Sequence, residues 1–301
     1  MKTLVTGGCG FIGSHIVDKL ISLGHEVIVI DDKTAESNEK FHTNPKALYR
    51  YVTISDYGEI NRFFKDVDCV FHLAAESRIV PCIERPQDAC LTNVLGTCNV
   101  LQSAKEYGVS RVIYSGTSAA YGLKNSPPLR ENMQRDCLNP YSVTKTAGED
   151  LARMYYTLWG LETVCFRYFN VYGERQPFSG HYAPVIGIFL RQLLNKETLT
   201  IVGDGSQLRD FVYVQDVVNA NILAMNTDNQ DAFGEVFNIG SGENISILQI
   251  AKHISDNYRF VDARSGEAHN TLADIRKAKD VLGFAPTGDV KEWINKQVEC
   301  S

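Results

Sequence analysis

Apolar positions along the chain alternate between two periods. Lys2-Thr3-Leu4-Val5-Thr6 is a short, β-branched run of the kind that forms a buried strand, and Gly7, Gly10 and Gly13 follow it at once. From Ser14 to Ser22 the period lengthens: Ile16, Val17, Leu20 and Ile21 share one helical face, and Gly24 suits the stop. Glu26-Val27-Ile28-Val29-Ile30 then predicts a second strand, ending at Asp31-Asp32. Strand, glycine turn, helix and strand make a β-α-β unit.

The alternation continues downstream. Cys69 to Ala75 predicts a buried strand, Asn93 to Tyr107 a helix ended by Gly108, and Arg111 to Ser115 and Leu161 to Phe169 two further strands. Such a sequence of elements implies an α/β fold with a doubly wound parallel sheet, whose ligands sit at the carboxyl ends of the strands. After about residue 169 the pattern loosens, with Gly, Pro and aromatic residues from Gly173 to Pro184. Residues 1–168 are therefore expected to form a dinucleotide-binding domain, and residues 169–301 mainly a smaller α/β substrate-binding lobe. Two runs, Asp210 to Val214 and Val236 to Gly240, read as strands returning to the larger domain.

Composition narrows the class. The 301 residues are 44% hydrophobic, enough for one large domain or a large and a small one. No run reaches the ~18 apolar residues of a membrane span, and the first residues lack the regions of a signal peptide, so a cytoplasmic location is expected with no membrane partner. The eight cysteines, at positions 9, 69, 82, 90, 98, 137, 165 and 300, include no Cys-x-x-Cys pair. They read as reduced thiols, and no metal site is expected. A net charge of −6 without a basic cluster argues against nucleic acid, while leaving room for an anionic small molecule met by local arginines.

The chemistry begins at the glycine turn. Glycines let the backbone approach a pyrophosphate closely, and amides at the following helix N-terminus meet its charge. Asp31 lies 18 residues after Gly13, near the spacing of a carboxylate that binds an adenosine ribose. It would repel a 2′-phosphate and so favour NAD over NADP, although Lys33 beside it could tolerate the extra charge. Further on, the strand ending in Ser115-Gly116-Thr117-Ser118 would deliver Thr117 or Ser118 to the nicotinamide edge. Tyr141 and Lys145 stand four apart, on one face of a helix. An ammonium at that distance, with the positive nicotinamide ring, is expected to lower the phenol's pKa from about 10 and make Tyr141 a base.

With these motifs in place the chain resembles the extended short-chain dehydrogenase/reductase superfamily, and within it the UDP-hexose 4-epimerases. The likeness runs through Thr6 to Gly13, His72-Leu73-Ala74-Ala75, Asn93 to Thr97, the Tyr141/Lys145 helix, Arg167 to Gly173 and Arg209 to Val214. By that resemblance Gly7, Gly10, Phe11 and Ile12 contact the pyrophosphate of NAD, Asp31, Asp32 and Lys33 surround its ribose, and Asp56 and Tyr57 meet the adenine. Leu73, Ala74, Ala75, Asn93, Ser115, Tyr168 and Phe169 line the rest of the cofactor bed. Thr117, Tyr141 and Lys145 form the catalytic set. Ser118, Asn170, Val185, Arg209, Arg264, Glu267 and Thr271 join Thr117 and Tyr141 on the UDP-sugar, arginine being suited to phosphate by its planar fork.

Absences separate the family's branches. Dehydratases that resemble the chain carry Asp-Glu directly after the threonine, and decarboxylases keep the glutamate; here those positions hold Ser118 and Ala119. Glucuronate 4-epimerases are expected to show Thr for Asn170 and an arginine near Pro177. Neither is present. What remains is 4-epimerisation of UDP-hexoses. At the position of a bulky gatekeeper in glucose-restricted relatives stands Thr271, which leaves room for an N-acetyl group and points to UDP-GlcNAc/UDP-GalNAc, with UDP-glucose/UDP-galactose as a second pair. Gly180 to Ala183 also resembles the N-acetyl-accepting branch. Leu151, Met154, Tyr155 and Leu158 continue the Tyr141 helix at helical spacing, and relatives pair it with the helix near 93–107, so a homodimer is expected. A nucleotide-sugar dehydrogenase or reductase that releases NADH, or a non-catalytic NAD-binding regulator, are the alternatives.

Overall fold

The computed structural model of the chain describes residues 1–35, 40–178, 184–262 and 268–299. Strand β1 (Lys2–Thr6) leads through the glycine turn into α1 (Phe11–Ser22), and β2 (Glu26–Ile30) completes the predicted unit. The helix begins at Phe11, before its apolar spacing does, because glycine backbone rather than side-chain burial sets its first turn. Next come β3 (Leu48–Arg50), α2 (Tyr57–Ile60), β4 (Cys69–His72), α3 (Ile79–Glu84), α4 (Pro86–Cys90), α5 (Thr97–Glu106), β5 (Arg111–Thr117), α6 (Pro140–Trp159) and β6 (Glu162–Tyr168). The remainder holds β7 (Asn170–Tyr172), α7 (Val185–Leu194), β8 (Leu199–Val202), β9 (Leu208–Arg209), β10 (Phe211–Tyr213), α8 (Val214–Asn226), β11 (Glu235–Ile239), β12 (Ile245–Ser246), α9 (Ile247–Ile254), β13 (Tyr258–Val261), α10 (Arg276–Leu282) and α11 (Val290–Glu299).

Seven strands form one parallel sheet in the order β11-β6-β5-β4-β1-β2-β3. Succession reverses between β1 and β4, and the crevice beyond their carboxyl ends is the ligand-binding place of such sheets. Neighbouring residues point to opposite faces. Thus Val5 and Ile113 pack with Ile16, Val17 and Val217 on one side, while Leu4 and Val112 pack with Val100, Leu101 and Ala152 on the other. A separate core of Phe189, Ile201, Ile250 and Trp293 underlies α7, α9 and α11.

Three expectations change. The strand predicted over 69–75 stops at His72, since Leu73 to Ala75 leave the sheet to cover Gly7. Of the two predicted returning strands, β11 does join the large sheet, whereas β10 pairs with β7 in a two-stranded sheet of its own. The helix predicted from Asn93 is preceded and partly replaced by a π-helical stretch, Leu91–Gly96, before α5 takes over. No helix is long and apolar enough to cross a membrane among the described residues.

Helix α6 is the best-anchored element. Asn139 accepts a hydrogen bond from the Ser142 amide at 2.9 Å, the Ser142 hydroxyl meets the Asn139 amide in return, and Pro140 opens the first turn. Gly148 lets the helix close on β5, because a Cβ there would stand 2.2 Å from the Tyr114 hydroxyl. Farther down, Glu149 is fully buried and takes both prongs of Arg167, itself 2% exposed, at 2.8 and 3.0 Å. Arg135 also reaches Glu149 at 3.3 Å from a half-exposed position. Removing one partner of a buried pair strands the other charge, so Glu149→Ala is expected to cost about 3–5 kcal/mol. Arg135→Ala should cost about 1 kcal/mol or less, as for a solvent-screened pair. Urea unfolding of the two variants checks this, and equal losses would contradict it.

Candidate active site

At the carboxyl end of β1 the chain turns at Gly7, whose φ of +70° and crowding by Ala74 exclude a side chain: a Cβ would lie 2.7 Å from the Ala74 amide nitrogen. Gly13 is tighter still, with a Cβ position 2.1 Å from the Gly7 carbonyl oxygen. Gly10 caps α1 without any side-chain acceptor, so the amides of its first turn, from Phe11 and Ile12 onward, are left for another acceptor. Just beyond β2, Asp31 accepts from the Cys9 amide and the Lys33 amide, both at 2.8 Å. Burial raises its pKa, those two bonds work the other way, and each oxygen keeps lone pairs for ribose hydroxyls. Asp32 is turned to Thr34, and Lys33, at φ +56°, lays its ammonium over the Tyr51 ring at 3.9 Å.

Across the switch point, β5 ends at Thr117, whose hydroxyl accepts from the Ala119 amide at 3.1 Å and caps the turn that starts at Ser118. The same hydroxyl lies beside the Tyr141 phenol and favours its ionised form. Lys145, one turn on, is 4% exposed, with its ammonium 4.5 Å from the centre of the Tyr114 ring. Desolvation lowers its pKa to about 8, against the field of Glu149, which raises it. Thr117 at the end of β5 thus lies beside Tyr141, and Lys145 stands one turn further along α6.

Residues 3–240 match the NAD dependent epimerase/dehydratase family. The chain belongs to that family. It is similar to the UDP-glucose 4-epimerase of Thermotoga maritima, crystallised with UDP-glucose, at 36% identity and a TM-score of 0.92, covering 99% of this chain and 98% of that one. It is also similar to the UDP-N-acetylglucosamine 4-epimerase of Methanobrevibacter ruminantium M1 in complex with UDP-N-acetylmuramic acid, at 32% identity and the same TM-score of 0.92, with 99% and 97% of the two chains covered. A UDP-N-acetyl-alpha-D-glucosaminuronate decarboxylase of Bacillus cytotoxicus is 33% identical, over 99% of this chain and 97% of its own length.

NAD is the cofactor of the family, and the turn suits it: the side-chain-free backbone at Gly7, the uncapped amides of α1 and the carboxylate of Asp31 lie at the carboxyl ends of β1 and β2. Other expected contacts are already engaged within the fold. Asn93 holds the Glu76 backbone by two bonds, at 2.8 and 3.0 Å, and Thr144 by a third, so it fixes the loop after Ala75 rather than offering its amide freely. The Ser115 and Tyr168 hydroxyls meet each other at 3.1 Å, and Phe169 is buried with Tyr121 and Leu129. Asp56 caps α2, while the exposed Tyr57 turns its hydroxyl to Glu106.

On the substrate side, Asn170 donates to the Asp210 carbonyl at 2.9 Å, and Val185 opens α7. Thr271 is joined to the strand of Arg209, its amide donating to the Leu208 carbonyl at 3.1 Å, and its own hydroxyl is buried without a partner among the described residues. Arg264, Glu267 and the run Gly180 to Ala183 lie outside the described residues.

One electrostatic expectation meets an opposing influence. Tyr141 is half-buried, and in the absence of the cofactor's positive ring desolvation raises the pKa of its phenol. The lowering influences are the Thr117 hydroxyl and the Arg78 guanidinium, not Lys145. Nothing singles out Arg78 in the sequence except its place three residues after Ala75. Glu149 was legible as the third member of an i, i+4, i+8 series with Tyr141 and Lys145.

The depressed Lys145 sets a pH window. With the cofactor removed, the unfolded chain still binds the lysine proton between about pH 8 and 10.5 while the folded chain does not, so stability rises with pH there and is flat in this respect below 8. The stability of the wild type relative to Lys145→Met should therefore climb across that window. Chemical unfolding at several pH values measures it, and a pH-independent difference would contradict the assignment.

Proposed function

We propose that the chain is a UDP-hexose 4-epimerase that interconverts UDP-GlcNAc and UDP-GalNAc, with UDP-glucose and UDP-galactose as a second pair. The single observation that carries the reaction type is the meeting of Thr117 and Tyr141 at the end of β5, with Ser118 and Ala119 where related dehydratases are expected to hold an acid pair. Position 119 likewise holds alanine where the resemblance leads one to expect the glutamate of a decarboxylase. Family membership and the two similar UDP-sugar 4-epimerases support the same reading.

Gly7, Gly10, Phe11, Ile12 and Asp31 hold NAD in this reading. Bound there, NAD supplies a reversible hydride acceptor, so no cofactor is consumed. Tyr141 takes the proton of the sugar's 4-hydroxyl and returns it after the keto sugar has turned over. Thr117 orients that hydroxyl by hydrogen bonding, and Lys145 holds the nicotinamide ribose. Arg209, with Asn170 and Val185, grips the diphosphate end, about which the sugar rotates.

The choice of sugar pair rests on Thr271. Its backbone is bonded to the strand of Arg209, and its short side chain has a hydroxyl, unpartnered among the described residues, that an N-acetyl oxygen would satisfy. A similar protein in complex with UDP-N-acetylmuramic acid supports room for the acetamido group. A homodimer is supported by apolar side chains left outside: Leu91, Leu95, Met154, Leu158 and Trp159 are exposed around α5 and α6, whereas Tyr155 is buried and Leu151 packs inward. Light scattering at the monomer mass would contradict the dimer.

Incubation with each UDP-sugar and chromatographic separation of the products tests the function directly. Tyr141→Phe should keep NAD and lose turnover by at least about a hundredfold, since ring packing survives and the transferable proton does not. Near-normal turnover would refute the mechanism. Thr271→Tyr should suppress the N-acetylated pair by about tenfold or more while sparing UDP-glucose/UDP-galactose. Equal loss on both pairs, or none, would place the gate elsewhere.

A further inference from the structure

We propose that Asp210 is the positioning residue of the sugar gate: its buried carboxylate fixes the segment Thr271 to Asp274 beside the strand of Arg209, so that the room at Thr271 stays constant as a sugar turns over. This deepens, and rests on, the reading in which Thr271 admits the acetamido group. Asp210 links β9 to β10, next to Arg209, and is completely shut off from solvent. One carboxylate oxygen accepts from the Ser241 amide at 2.7 Å and the Ser241 hydroxyl at 2.8 Å. The other accepts from the Gly242 amide at 3.2 Å and the Ala273 amide at 3.0 Å. The Asp210 carbonyl meanwhile receives the Asn170 backbone amide at 3.1 Å and its side-chain amide at 2.9 Å. One residue thus ties the loop after β11, the segment carrying Thr271 and an expected sugar-nucleotide contact to a single point. Burying a carboxylate costs free energy, and this one is met by four neutral donors. An asparagine of the same size could not replace it, because its NH2 would face amides that already donate.

Thr271 has no side-chain hold of its own among the described residues, since its hydroxyl is buried without a partner. Backbone bonds place it instead. Its amide donates to the Leu208 carbonyl at 3.1 Å, and Leu129 both donates to the Leu272 carbonyl at 2.8 Å and accepts from the Asp274 amide at 2.9 Å. Between these lies the bond from Ala273 to Asp210, which ends on a side chain and is therefore open to substitution. Space is closed as well: a Cβ at Gly240 would stand 2.6 Å from the Ala273 Cβ and 2.8 Å from the Asp210 carboxylate. The segment cannot draw back from a sugar without stripping a donor from a buried charge. A side chain at position 271 accordingly acts as a fixed wall, and its bulk is felt in full.

The test is a double-mutant cycle in the NAD-loaded enzyme, read as the ratio of kcat/KM on UDP-GlcNAc to kcat/KM on UDP-glucose, which a general loss of stability leaves unmoved. Thr271→Tyr alone reports on the gate and should lower the ratio by about tenfold or more. Asp210→Asn alone, with the small threonine still in place, should leave the ratio within about twofold of wild type. Combined, the two should restore the ratio by at least about fivefold over Thr271→Tyr, because the freed segment lets the new ring withdraw. Ser241→Ala, which removes one of the four donors, should restore it by about twofold in the same background, and it carries the comparison if Asp210→Asn yields no folded holoprotein. A ratio that stays at its Thr271→Tyr value in the double variants would overturn the role of Asp210 and leave the gate standing. A Thr271→Tyr enzyme with an unchanged ratio would sink the gate itself, and the role of Asp210 with it. Should the wild type epimerise neither substrate, calorimetric affinities of the holoenzyme for UDP-GlcNAc and UDP-glucose enter the same cycle, with the same coupling expected and its absence equally decisive.

Discussion

A helix whose inward face carries a phenol, an ammonium and a carboxylate is not held by apolar burial alone, and α6 is such a helix. Tyr141, Lys145 and Glu149 follow one another at single-turn spacing; Lys145 and Glu149 are withdrawn from water and Tyr141 is half-buried. Each charge removed from solvent must be met. Glu149 meets Arg167 from β6, Tyr141 meets Thr117 from β5 and the field of Arg78, and Lys145 is left at a pKa of about 8 over an aromatic ring. The capping box at Asn139 and the contact that Gly148 allows with Tyr114 fix where that face lies.

The cofactor edge follows from a different constraint, the absence of side-chain volume. Gly7 and Gly13 crowd backbone against backbone so closely that a methyl group at either would displace the chain. The two constraints converge because β1 and β5 flank β4 in one parallel sheet, so their carboxyl ends open on the same crevice. The His72 ring ties the layers beneath it, bonded to Thr6 at 2.7 Å and to Thr97 at 2.9 Å, and burial lowers its pKa to about 3. It is a neutral strut under the site.

Much of this was legible in the sequence, because period and punctuation reflect burial. Strands with four or more inward residues, such as β1, β2 and β6, could be read from their apolar runs. Strand β3 could not, since its three residues are exposed or half-buried. The pairing of β10 with β7 was equally hidden: a short apolar run carries no mark of which sheet it joins. For the site, motif spacing brought out Thr117, Tyr141 and Lys145, but not the environment that sets their ionisation. That depends on desolvation, which follows from tertiary packing rather than from any spacing along the chain.

The fate of the hydrogen on C4 bears most directly on the proposed chemistry. UDP-GlcNAc deuterated at C4 of the sugar should give UDP-GalNAc that keeps the deuterium at C4, without accumulation of reduced cofactor in solution. Loss of the label to water, or its appearance in released NADH, would contradict transient oxidation and re-reduction within one active site.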